Sequence, residues 1–189
     1  MKLSPLVAGA LAAAVLAALT VWLFTRVPGL WVWGAFIGWA SYDQSGANGR
    51  ALLTSSVCMV FGVVMAWLVA LTVASGVLAL QSAFASAAAA GVASFFIVYV
   101  SRVPAFANVP ATFYGFASSF AFLLMMPATF SMTAMTGATF SNVLVCVSIS
   151  LLVGSLLGVV HQQLASLLTG ARHSEVSTPV RLTPLKDPP

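Results

Sequence analysis

Between Lys2 and Arg172 the chain carries only four charged side chains, Arg26, Asp43, Arg50 and Arg102, and long apolar runs fill the intervals. Of its 189 residues 61% are hydrophobic and 5% charged. A soluble domain keeps a shell in which about 25% of all residues are charged. A water-soluble globule is therefore excluded, and the solvent for most of this chain is lipid.

The apolar runs cover residues 5–25, 30–42, 51–74, 82–100, 110–126 and 143–168. Most approach the roughly 20 residues that a helix needs to cross a bilayer core. The reading is an all-α integral membrane protein with six transmembrane helices, residues 1–169 forming the membrane domain. The second run has 13 residues, which as a helix reach about 20 Å against a core of about 30 Å. It must recruit its flanks, thin the bilayer or turn back. The first run is longer than the roughly 7–15 apolar residues of a secretory signal and is read as a retained helix.

The few cations decide between crossing and turning back. With six crossings and the N-terminus inside, Lys2, Arg50, Arg102, Arg172, Arg181 and Lys186 are cytoplasmic and Arg26 alone is external. If the second and fifth runs only dipped into the membrane, four cations would be inside and three outside, so the cytoplasmic bias of Lys and Arg favours six crossings with both termini cytoplasmic. Residues 170–189 are polar and Pro-rich, and they read as a disordered cytoplasmic tail. The net charge of +4 comes from isolated residues, with no basic patch for nucleic acid.

Phe36-Ile37-Gly38-Trp39-Ala40-Ser41 recurs as Phe113-Tyr114-Gly115-Phe116-Ala117-Ser118, with four of six positions identical. Each copy lies in the middle run of three. The third runs correspond more loosely, through Cys58-xxx-Gly62-xxx-Ala66 and Cys146-xxx-Ser150-xxx-Gly154-xxx-Gly158. Three crossings per half put the second half into the membrane from the opposite side. The expected architecture is thus two inverted three-helix repeats, about 5–75 and 82–168, with short second and fifth helices. Transporters built this way place their substrate site between the halves, at short or Gly-interrupted segments.

On a helix Gly34, Gly38, Ser41 and Ser45 share one face of small side chains, as do Ala111, Gly115 and Ser118. Such a face serves close helix packing. Alternatively it borders a narrow path, in which Gly38, Gly115, Ser41 and Ser118 offer polar contacts and Phe36, Trp39, Phe113 and Phe116 form apolar constrictions. Asn108 stands before Pro110, which reads as the first residue of a helix. The connection 127–142 carries several Ser and Thr and no charge, so partial burial, as a vestibule or lid, is expected.

What is absent bounds the mechanism. Glu175 and Asp187 lie in the tail, leaving Asp43 as the one carboxylate near the membrane domain. Proton relays rest on intramembrane Asp, Glu or His, so proton coupling is disfavoured; Asp43, next to the turn before Arg50, reads by default as half of a solvated pair or a helix cap, with a gating or substrate-binding role as the alternative. His161 sits near one end of the last helix and reads as interfacial. Cys58 and Cys146 lie in apolar runs and read as small hydrophobes. There is no metal spacing, no paired carboxylate and no nucleophile with its base, so neither enzyme nor cofactor is expected.

The leading expectation is a channel or facilitator for a small neutral polar solute, urea- or amide-like, working as a homo-oligomer. The alternatives are a non-transporting membrane subunit or scaffold, and an ion-coupled secondary transporter. Trp33-Gly34-Ala35-Phe36-Ile37-Gly38, the Gly49 and Gly62 frame, and Val109-Pro110-Ala111-Thr112-Phe113-Tyr114-Gly115 carry a further likeness. In these the chain resembles a family of small bacterial inner-membrane proteins classed as a domain of unknown function, number ten-ninety-seven. Ala111 stands where that family has Gly, and the connection 127–142 is longer and less charged. The resemblance implies a bacterial inner-membrane location and no particular activity.

Overall fold

The structure, a computed structural model, describes residues 3–76 and 83–169. The expected tail from residue 170 and most of the link between the halves lie outside them. Among the described residues all regular structure is helical: α1 Pro5–Phe24, α2 Val32–Gln44, α3 Gly49–Ala74, α4 Ala83–Val100, α5 Val109–Met125, α6 Met132–Thr136 and α7 Val143–Thr169. Short 3-10 turns at Pro104–Phe106 and Pro127–Thr129 complete it.

Local chemistry sets several helix starts. The Ser4 side chain accepts from the Val7 N–H, Asn48 from Ala51 and Asn108 from Ala111, each satisfying one of the donors a helix leaves unpaired at its N-terminus. Pro5 and Pro110 lie in first turns, where a missing N–H costs nothing. Between α2 and α3 the chain reverses through Gly46, at φ +102°, and Ala47, at φ +53°.

Helices α1, α3 and α7 are long and apolar enough to cross a membrane. The distribution of side chains is the reverse of a soluble protein's. Leu6, Phe84, Leu124 and Leu167 are each at least 75% exposed, while Ser55, Ser119, Ser150 and Ser155 are fully buried. Apolar surface on this scale requires an apolar surrounding, and small hydroxylated residues suit helix contacts within it. The chain is a helical membrane protein.

Two parallel helix pairs form its centre. Helix α2 runs alongside α7 in the same direction, from Gly34 against Ser150 to Tyr42 against Gln162. Helix α5 runs alongside α3, with Cys58 near Ala105 at the start and Phe116 packed with Ala66 further along. The pairs meet through α3, α5 and α7, while α1 packs on α7 and α4 on α3.

The uncharged connection 127–142 folds back onto this core. Met135 is buried, and its carbonyl accepts from the Trp67 indole N–H at 2.9 Å and from the Asn142 amide at 2.8 Å. Asn142 also donates to the Gly137 carbonyl. Thr129, Met135 and Asn142 are its buried anchors, while most of the remaining residues of the connection stay exposed.

A cleft between the two short helices

The repeated glycines are where each pair touches. A Cβ on Gly38 would stand 2.0 Å from the Leu151 carbonyl oxygen, and one on Gly154 would stand 1.9 Å from that of Ala35. The α3–α5 crossing has the same construction: Gly115 lies against the Met59 carbonyl and Gly62 against that of Thr112, with 1.9 Å to an added Cβ in both cases. Only glycine permits backbones to approach this closely. Gly154 therefore does in α7 what Gly62 does in α3. Aligning the third helices on their cysteines pairs Gly62 with Ser150 instead, one helical turn away.

The cysteines match for another reason. Both are buried and free, and each thiol donates to a carbonyl of the loop leading into a short helix: Cys146 to Gly29 at 3.0 Å before α2, Cys58 to Ala105 at 3.5 Å before α5. The Trp31 N–H at the start of α2 also donates to the Ser150 hydroxyl at 2.9 Å.

Helices α2 and α5 run in opposite directions, with Asn108 near Ser45 and Tyr114 near Gln44. They touch far less than either parallel pair. A cavity of about 310 Å³ lies between them, lined by Ile37, Ala40, Tyr114, Ala117, Ser118 and Ala121. Ile37 and Tyr114 hold the same place in the two copies of the repeat, as do Ala40 and Ala117. Equivalent residues thus face one another across the cleft.

Of the residues singled out from sequence, Ser118 lines this cavity. Ser41 stands at the same position relative to Ile37 and Ala40 as Ser118 does to Tyr114 and Ala117. Both serines are buried, and both hydroxyls lack a hydrogen-bond partner. Gly38 and Gly115 serve the crossings. Phe113 and Phe116 pack with α3 and α4 through Phe61, Met65 and Ile97. Phe36 stacks on Trp39, whose ring centroid lies 5.0 Å from that of His161. Asp43 is exposed in the last turn of α2.

Ile37, Ala40, Tyr114, Ala117 and Ala121 escaped the sequence reading. Its face ran through the glycines, whereas the cleft lies on the neighbouring face, one helix position away. The repeat itself held part of the signal, because Ile37 and Tyr114 directly precede its two glycines and are where the two copies differ most in side-chain chemistry.

One end of the cleft is tied by polar contacts. The Tyr114 hydroxyl donates to the Gln44 side-chain oxygen, Asn108 donates to the Ser45 hydroxyl at 2.8 Å, and Ser45 donates to the Ser41 carbonyl at 2.6 Å. Beyond the other end, Trp31 meets Phe122 edge to face, with centroids 5.9 Å apart. That pair also borders a second cavity of about 300 Å³, walled by Thr129, Phe140 and Ser141 of the folded connection. Among the described residues no cluster of His, Cys, Asp or Glu could hold a metal ion.

Comparisons with curated proteins and with solved structures found no match. A family model described as a protein of unknown function, DUF1097, matches residues 10–166. That span includes both glycine crossings and the whole cleft, and the chain belongs to the DUF1097 family.

Proposed function

We propose that the chain is a six-crossing facilitator of the bacterial inner membrane, through which a small neutral polar solute passes between α2 and α5. In this reading α1–α3 and α4, α5 and α7 are inverted halves, and both termini are cytoplasmic. Two inverted halves of three crossings require α2 to run with α7, α3 with α5, and α2 against α5, the directions in which these helices lie.

The observation that carries the reading is the cleft itself: a cavity between the two short helices, walled by equivalent residues of both copies, with no charged side chain in its lining. Binding sites of inverted-repeat transporters lie in such a place. Ala40 and Ala117 are exposed on the open side of the cleft. A polar solute would meet lipid there, so a homo-oligomer in which another copy closes that side belongs to the reading.

Two measurements test it. With cysteine at Val27 or Val103, exposed residues of the loops before α2 and α5, an impermeant thiol reagent added to intact cells should label the first and spare the second. Labelling of both from one side contradicts inversion. In proteoliposomes, stopped-flow light scattering across a panel of neutral solutes should show flux above empty vesicles. No flux for any of them returns the protein to the role of membrane subunit or scaffold.

A further inference from the structure

The cleft and the second cavity lie end to end. On α5 the lining of the cleft stops at Ala121, and that of the second cavity starts at Phe122. On α2 the cleft reaches Ile37, and the second cavity takes in Trp31, just before the helix. The Trp31–Phe122 contact thus stands at the boundary on both helices, with Trp31 5% and Phe122 2% exposed. Ile37, Tyr114 and Ala121 of the cleft wall pack against the cluster that holds this pair.

The other end repeats the arrangement with different chemistry. The offset that carries Gly38 to Gly115 also carries Trp31 to Asn108 and Ser45 to Phe122. Asn108 and Ser45 are the residues joined by a 2.8 Å hydrogen bond where Tyr114 meets Gln44. One pair of equivalent positions therefore meets at each end of the cleft, as two aromatic rings at one and as an amide and a hydroxyl at the other.

Resting on the reading of the cleft as a solute path, we infer that these two pairs are its gates, with the second cavity as the vestibule outside the aromatic one. Both gates are shut in this structure. Each can part without unfolding what surrounds it. The Trp31 N–H stays bonded to the Ser150 hydroxyl while its ring moves, and Asn108 still caps α5 through the Ala111 N–H when Ser45 leaves it. The aromatic gate is an apolar constriction that water deserts, so it holds back ions. The polar gate exchanges its hydrogen bond for one to the passing solute. A small neutral polar molecule meets both conditions.

The test reads a thiol in the cleft from each side of the membrane. The full chain with Ala117→Cys, in vesicles of either orientation, is treated with an impermeant methanethiosulfonate, and modification at residue 117 is followed by mass spectrometry. Phe122→Ala should speed modification from the external side about tenfold, the scale of one such contact, and leave the cytoplasmic side unchanged. Ser45→Ala should act from the cytoplasmic side alone. Leu123→Ala removes an equally buried side chain that lines neither cavity, and it should change neither rate. Where thermal unfolding in detergent shows Phe122→Ala to be misfolded, Phe122→Leu replaces it, with the same direction expected. Acceleration from both sides by either gate variant, acceleration from neither, or an equal effect of Leu123→Ala overturns the gates, and solute flux through the wild-type protein then judges the path alone. One-sided acceleration in a protein that passes no neutral solute upholds the gates and overturns the path.

Discussion

Gly154 lies so close to Ala35 that a Cβ on the glycine would stand 1.9 Å from the alanine carbonyl oxygen, and Gly62 lies against Thr112 at the same distance. The two parallel helix pairs are thus held by one kind of contact, used twice. These crossings set where α2 and α5 stand, and with them the shape of the cleft.

Alanine at Gly38, Gly62, Gly115 or Gly154 must push two backbones apart, and overpacking of this kind costs about 1–3 kcal/mol. Similar losses are expected at all four positions, read as lowered thermal stability in detergent. Gly91 of α4 has nothing within 4 Å of an added Cβ. Gly91→Ala should be neutral, or stabilising by up to about 1 kcal/mol through helix propensity. Unequal losses within a pair would mean that the crossings are not equivalent.

Tyr114→Phe removes the hydroxyl that joins the cleft wall to Gln44. The lost bond is worth about 0.5–1.5 kcal/mol, so the variant should fold. The counterparts of Tyr114 and Gln44 at the other end are Ile37 and Ala121, which make no such bond. Solute flux should therefore rise in Tyr114→Phe and stay unchanged in Ile37→Leu, as measured by stopped-flow light scattering. Lower flux in Tyr114→Phe would assign the hydroxyl to solute binding instead of closure.

Asp43→Asn discriminates between passive and coupled passage. Its carboxylate is exposed at the end of α2 and lines no part of the cleft. Uptake should survive the substitution and should not respond to an imposed proton gradient. Abolished uptake in a folded protein would favour the coupled transporter.

Much of this arrangement was legible in the residues. The short run at 30–42 is α2 at Val32–Gln44, and the last run at 143–168 is α7 at Val143–Thr169. The six-residue repeat marks the two helices that flank the cleft. The register of the third helices was not legible, because two independent constraints act on them: the cysteines answer to loops and the glycines to crossings. Nor was it legible which face of the middle helices borders space. Glycine marks the place of closest contact, and the opening lies beside it, where Ala40 and Ala117 are small but unpacked.

The most direct test of a path through the cleft is to close it. Ala117→Cys places a thiol in the lining, and the native Cys58 and Cys146 are buried and need no replacement. Reaction with a bulky thiol reagent should abolish flux of the transported solute, and solute present during the reaction should slow the loss. The same reagent on Leu124→Cys, on the exposed outer side of α5, should leave flux intact. Full flux through a protein completely modified at residue 117 would contradict the account.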